Sequence, residues 1–183
     1  MIFTKGPLPG TYVLRPERIE DQRGFFARTF CQHELAEHGL EINIAQANVS
    51  ANHHRGTLRG MHYQAAPHQE TKIVRCTRGG IYDVIVDLRP ESEAHGEWMG
   101  VELTADNGHI LYVPEGFAHG YLTLTPGAEV SYFVSEFYAP DAERGVRYDD
   151  PAFGIDWPIA VETISEKDAS WPDYQPVTAA PGI

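Results

Sequence analysis

The stretch Arg59-Gly60-Met61-His62-Tyr63-Gln64 is followed, ten residues after its histidine, by Lys72 at the head of an alternating segment. An imidazole as base and an ammonium facing a forming oxyanion are the two groups that proton removal beside a ketone requires. Each has a blander reading when taken singly: His62 as a hydrogen-bonded core histidine, Lys72 as a solvated strand lysine. A second histidine, His119, follows the Pro/Gly corner in Val113-Pro114-Glu115-Gly116-Phe117-Ala118-His119-Gly120 and opens an apolar strand. His62 and His119 raise the question of a metal site. The chain offers His-Tyr-Gln at 62 to 64, where a metal barrel supplies His-x-His, and Gln64 is a poor donor. The expectation is therefore no catalytic metal, with His53, His54 and His68 as the remaining donors.

Other groups gain meaning only in this company. Arg23, in Asp21-Gln22-Arg23-Gly24-Phe25-Phe26, and Arg59 carry guanidinium forks that suit diphosphate oxygens. Tyr132 and Tyr138 share a parity on a segment, Glu129 to Tyr138, read as a strand, so one is able to donate a proton and the other to stack on a base or sugar. Ser165-Glu166-Lys167-Asp168 holds a carboxylate that is able to orient an imidazole through its second N–H.

The elements that must position these groups are mostly short strands broken by Gly, Pro, Asn and Asp. They read as Gly10 to Leu14, Gly24 to Phe30, Asn43 to Ser50, Lys72 to Thr77, Tyr82 to Leu88, Trp98 to Leu103, Ile110 to Val113, Ala118 to Thr123 and Glu129 to Phe137. That spacing predicts a sandwich or barrel. The two glycines at 79 and 80 predict a hairpin between the segments on either side. A helix is expected at about Gln32 to His38, and a short one after the capping residue Ser165.

The 183 residues fit one domain, with a strand-rich N-terminal segment over about 1–30 and a loosely structured tail over about 173–183. Twenty-six acidic against 14 basic residues, net −12, argue against a nucleic-acid or anionic-membrane surface but leave room for a small anion held by clustered arginines. Cys31 and Cys76 lie too far apart in sequence for metal-type spacing and are read as reduced and structural. No apolar run approaches the roughly 20 residues of a membrane span, and the N-terminus lacks a signal peptide's apolar stretch. The expected location is the cytoplasm.

Taken in order, several segments resemble the dTDP-4-dehydrorhamnose 3,5-epimerase family of nucleotide-sugar epimerases. They are Asp21-Gln-Arg-Gly-Phe-Phe26, Gln46-Ala-Asn48-Val-Ser50, Gly56-Thr-Leu-Arg-Gly-Met-His62-Tyr-Gln64, Lys72-Ile-Val-Arg75, Tyr82-Asp-Val-Ile-Val-Asp87, Pro114-Glu-Gly-Phe-Ala-His-Gly120, Tyr138-Ala-Pro140, Asp149-Asp-Pro151, Ile155-Asp-Trp-Pro158 and Ser165-Glu-Lys-Asp168. The resemblance covers about residues 10 to 172. It implies an all-β, cupin-type jelly roll (a double-stranded β-helix) with a few short helices, a homodimer, no metal and no organic cofactor.

Carried over residue by residue, the resemblance makes His62 the base, Asp168 its orienting partner and Asp83 a second nearby acid. Lys72 becomes the stabiliser of the enolate oxygen and Tyr132 the acid on the opposite face. Arg23 and Arg59 match diphosphate-binding positions, and Gln46 and Asn48 nucleotide-sugar contacts. Phe26, Phe117 and Tyr138 match pocket walls, and His119 supports the sugar site. The implied reaction is epimerisation of a dTDP-linked 4-keto-6-deoxyhexose at C3 and C5. Phe133, the Phe137-Tyr138 pair, Arg28 and a longer loop over Ala51 to Arg55 depart from the family pattern. They leave the exact sugar, the base and the number of inverted centres open. The alternatives are a 3-epimerase or ketoisomerase on a related nucleotide sugar and a non-catalytic sugar-binding jelly roll.

Overall fold

The computed structural model describes residues 1–40 and 42–175. In chain order these form β1 (Ile2–Lys5), β2 (Tyr12–Arg15), β3 (Arg18–Asp21), β4 (Gly24–Ala27), α1 (Gln32–Glu37), β5 (Gln46–Ala51), β6 (Leu58–Gln64), β7 (Lys72–Arg78), β8 (Gly80–Asp87), β9 (Trp98–Thr104), β10 (Ile110–Val113), β11 (Phe117–Thr123), β12 (Glu129–Val134), a 3-10 turn at Pro140–Ala142, β13 (Glu143–Gly145) and α2 (Glu166–Ala169). Two antiparallel sheets carry the fold. The first has the order β1-β2-β10-β7-β12-β5 and the second β13-β6-β11-β8-β9, while β3 and β4 pair apart from both. This is the all-β jelly roll that the resemblance implied.

Strand parity explains why the two sheets stack. On β7, Val74 and Cys76 point between the sheets; on β8, Ile81 and Ile85 do; on β12, Val130 does, and all belong to one buried cluster with Leu111 and Phe117. The alternate residues are also apolar, because both outer faces are covered. Ile73, Ile110 and Leu14 pack beneath the α1 region through Leu35, Leu40 and Ile42. Val84, Val86 and Met61 pack beneath the C-terminal segment through Val146 and Phe153. Such doubly covered strands read as continuous apolar runs rather than clean alternation.

The expected hairpin at Gly79-Gly80 does not form. β7 pairs with β10 and β12, whereas β8 pairs with β11 and β9, so the chain leaves one sheet for the other at this point. Gly79 has φ 72, and a Cβ there would lie 2.2 Å from Thr125 Oγ1. Only glycine fits so tight a corner. With apolar residues on both faces, each strand is better buried at the middle of its own sheet than beside the other.

The strand expected to run to Phe137 stops at Val134. There Thr71 and Ser135 clamp each other, Thr71 N–H donating to Ser135 Oγ at 2.8 Å and Ser135 N–H to Thr71 O at 3.1 Å. Tyr138 therefore lies beyond the strand and does not share a strand face with Tyr132. Of the tail expected to be loose, Tyr174 is tied down by its N–H to Asp150 Oδ2 at 2.6 Å and its hydroxyl to His95 Nε2 at 3.1 Å. Residues 176–183 lie outside the described residues.

At the end of β8, buried Asp87 accepts from Arg89 Nε at 2.9 Å and Ser92 Oγ at 2.6 Å, and the Arg89 guanidinium sits 4.6 Å over the Phe117 ring. This knot anchors the start of β11. Burial acts to raise the Asp87 pKa, but the hydrogen bonds from Arg89 and Ser92 outweigh it and hold the carboxyl below its ordinary range. A depressed carboxyl contributes stability above its unfolded value, near 3.9, and loses it as pH falls through the folded value. Urea unfolding should therefore show stability falling as pH drops below about 4. Asp87→Asn should cost about 1.5–3 kcal/mol at pH 7 and flatten that acid fall. An equally steep fall in the variant would remove Asp87 as its source.

Candidate active site

The site is built on an irregularity between β6 and β11. Register pairs His119 with His62 and Tyr121 with Arg59, so two residues of β6, Gly60 and Met61, oppose the single Gly120 of β11. Such a bulge rotates one residue out of step and lets Arg59 and His62, three apart, line the same inner face. Gly60 occupies the bulge with φ 115, and a Cβ there would lie 2.5 Å from Gly120 Cα and 2.7 Å from His119 O. Any side chain would push the strands apart. Arg59 is then held through Nε on Asn52 Oδ1 at 2.8 Å, and Asn52 is itself buried and bonded to Ala128 O at 3.1 Å.

His62 Nε2 lies 2.7 Å from Asp168 Oδ1. Asp168 sits in α2, whose first turn is closed by Ser165 Oγ accepting from Asp168 N–H at 3.1 Å, as the sequence signal predicted. The Gly60 N–H reaches the second carboxylate oxygen at 3.3 Å. Burial works to raise the Asp168 pKa, but the hydrogen bond and charge of His62, with the Gly60 and Ser165 contacts, override it and hold the group below its usual value. Asp168 is thus an acceptor only, so Nε2 carries the proton and donates. The lone pair falls to Nδ1, which makes His62 a base through that nitrogen.

The opposite wall comes from the other sheet. Lys72 opens β7 on the inward parity of Val74, and Tyr132 stands next to it on β12, where Tyr132 registers with Val74 and Val134 with Lys72. Burial, then the neighbouring Tyr121 and Glu70, push the Tyr132 phenol above its ordinary range, against a smaller opposing pull from Arg59. It is a protonated donor at neutral pH. Two cavities, about 480 and 380 Å³, meet at His62, Lys72 and Tyr132. An imidazole on one sheet therefore shares the cavities with a phenol on the other, with the lysine head beside the phenol.

Most of the expected residues gather here. Arg59 and His119 line the first cavity, and Gln46, Asn48 and Tyr138 the second. Gln46 and Asn48 share the inward parity of β5, opposite Val134 and Tyr132. Four residues fall elsewhere. Asp83 lines neither cavity: it bonds His119 Nε2 at 2.6 Å, behind the cavity wall, with its Oδ2 buried and without a hydrogen-bond partner. Phe117 is no pocket wall: it is 3% exposed in the core beneath Arg89. Arg23 (88% exposed, paired with Asp21) and Phe26 (66% exposed) sit on the outlying β3–β4 pair and line neither cavity.

Sequence reasoning missed Ser50, Glu70, Tyr121, Glu143 and the Thr163–Ser165 segment, all of which line these cavities. Parity was the available signal for Ser50, two residues after Asn48, and for Glu70, two before Lys72. The Gln64 side chain is taken up by backbone groups: it donates to His68 O and Phe137 O and accepts from Ala139 N–H. Among the described residues no three His, Cys, Asp or Glu side chains group as ligands.

Comparison with known proteins agrees with this geometry. The family model described as dTDP-4-dehydrorhamnose 3,5-epimerase matches residues 5–175. A protein of that name from Methanothermobacter thermautotrophicus is 44% identical over 172 residues, covering 92% of each chain. A dTDP-4-dehydrorhamnose 3,5-epimerase structure from Bacillus anthracis with TDP and PPi bound is 38% identical, with TM-score 0.92 over 94% of this chain and 99% of that one. A dTDP-6-deoxy-D-glucose-3,5-epimerase from Legionella pneumophila in complex with dTDP-4-keto-L-rhamnose is 32% identical, with TM-score 0.87 over 95% and 98%.

The hydrogen bond to Asp168 should fix the ring tautomer of His62. Nitrogen-15 NMR should find the proton of the neutral His62 ring on Nε2, and Asp168→Asn should move it partly to Nδ1. Proton transfer by His62 should then fall by about 10²–10⁴-fold. An unchanged tautomer would show that the carboxylate does not direct the base.

Proposed function

The chain belongs to the dTDP-4-dehydrorhamnose 3,5-epimerase family, and from that premise we propose how its residues invert C3 and C5 of a dTDP-linked 4-keto-6-deoxyhexose. It is an isomerase. The observation that carries the assignment of roles is the placement of His62 and Tyr132 on facing sheets, with Lys72 at the shared cavity.

A C–H beside a ketone is too weakly acidic for imidazole alone, so the enolate must be stabilised where its charge forms. His62 Nδ1 removes the C3 proton while Lys72 Nζ donates a hydrogen bond to the C4 oxygen. Tyr132 returns a proton to C3 from the other face, which inverts the centre. The same three groups repeat the sequence at C5 after the ring turns in the cavity, once His62 has passed its proton to solvent and Tyr132 has regained one. Arg59 receives the diphosphate, Gln46 and Asn48 hold the nucleotide sugar, and Tyr138 walls the second cavity. The buried His119–Asp83 pair supports the sugar site from behind. No step calls for a metal, because proton transfer and oxyanion stabilisation are both supplied by these side chains; activity should survive exhaustive chelation.

The protein acts as a homodimer in this reading. Ile19 and Phe26, paired across β3–β4, are exposed on one face of that hairpin and Phe25 on the other, and covering them with a second copy would gain about 1.5–3 kcal/mol for each fully buried side chain. The same contact would give Arg23 and Phe26 a cavity to serve, that of the partner. Light scattering should give a dimer, and Phe25→Ser with Phe26→Ser should shift it to monomer; a monomeric parent would sink this arrangement. Two free cysteines suit a reducing compartment, and among the described residues no helix is long and apolar enough to cross a membrane. We place the enzyme in the cytoplasm.

Incubation of dTDP-4-keto-6-deoxyglucose in D₂O should put deuterium at both C3 and C5 by NMR. Label at C3 alone would make the protein a 3-epimerase, and none at all would make it a binder. Tyr132→Phe should keep exchange into the starting sugar while inversion at C3 falls by about 10²-fold or more. Wild-type inversion in that variant would take Tyr132 out of the mechanism.

A further inference from the structure

Lys72 does not stand alone in the cavity. Glu70 lies two residues earlier, on the same parity, and its carboxylate pairs with Lys72 Nζ. Both side chains are 11% exposed. Glu70 lines the second cavity together with Lys72, His62 and Tyr132. Its backbone is held on the C-terminal side by the Thr71–Ser135 clamp at 2.8 and 3.1 Å. The Lys72 backbone is held as firmly, by Val113 on β10 and Val134 on β12, so the pair joins the shorter glutamate side chain to the longer and more flexible lysine head.

Resting on the functional reading above, we infer that Glu70 is a positioning residue that aims Lys72 at the substrate's C4 oxygen. A lysine side chain has four rotatable carbons and a compact charge with three donors. Left free in a cavity of about 380 Å³, its head would sample many positions, few of them within hydrogen-bond reach of the ketone. Pairing one donor to Glu70 restricts the head and leaves two donors for the oxyanion. The arrangement carries a cost in field: a neutral pair stabilises an enolate less than a bare ammonium. It is tolerable only if placement matters more than raw charge, and a misplacement near 1 Å costs about 10²-fold. The same carboxylate also contributes, after burial and Tyr121, to keeping the Tyr132 phenol protonated.

A double-mutant cycle tests this, read as deuterium exchange at C3 with dTDP binding and thermal melting as checks on folding. Glu70→Ala should lower the exchange kcat by about 10–10²-fold while KM and dTDP affinity stay within about twofold. Glu70→Gln, which keeps an acceptor oxygen at the same reach, should recover most of that loss. In a Lys72→Ala background, Glu70→Ala should have almost no further effect, because its action passes through the lysine. An equal fold-loss with and without the lysine, or exchange within about twofold of the parent in Glu70→Ala, would overturn the inference. Absence of exchange in the parent would overturn the functional reading instead.

Discussion

Two strands touch at Gly60 and Gly120 more closely than any side chain would allow. A Cβ on Gly120 would meet Met61 Sδ at 2.6 Å and Arg59 O at 2.8 Å, just as one on Gly60 would meet Gly120 itself. This backbone contact is what the site depends on. It holds the bulge that turns Arg59 and His62 to one face, and it brings the Gly60 N–H to Asp168, so the base and its orienter are fixed by the same point of contact. Loss of that closeness would leave Arg59, His62 and Asp168 present and out of place.

Around this point the ionisable groups come in pairs drawn from separate elements. His62 with Asp168 joins β6 to α2, and His119 with Asp83 joins β11 to β8. Lys72 with Glu70 joins the head of β7 to the segment before it. Pairing suits groups removed from water, since a lone buried charge is expensive. It also fixes the orientation of each reactive group from a second residue, so the cavity is organised before any ligand enters. The acidic surface implied by a net charge of −12 is thus compatible with an anionic substrate, because the charges that matter are local.

Much of this was legible beforehand, and the failures have a common cause. Ser165 announced α2, and the punctuating glycines and prolines located most strands, because capping and turn chemistry are local. β6 itself went unlisted as a strand: its Arg-Gly-Met interruption hides the alternation that a bulge breaks. The Gly79-Gly80 corner gives the same local signal for a hairpin as for a crossing between sheets, and only the partners of β7 and β8 decide which. Phe117 was a wall only by the resemblance, yet Arg89, distant in sequence, claims its ring. The motif order named most of the residues that share the two cavities, but what each one touches is settled by strand pairing, which no single segment encodes.

The isolated bridge between Thr57 and Thr163, with Leu58 N–H donating to Thr163 O at 2.8 Å, binds the segment leading to Asp168 alongside the beginning of β6. Asp168 is therefore added after every strand of both sheets has been made. During synthesis at about 5–20 residues per second, a ribosome-bound chain is able to lay down the walls of its cavity while His62 still lacks the carboxylate that sets its proton. Until that stretch folds back His62 has no carboxylate partner, so the wall that fixes its proton is the last part of the cavity that chain order supplies.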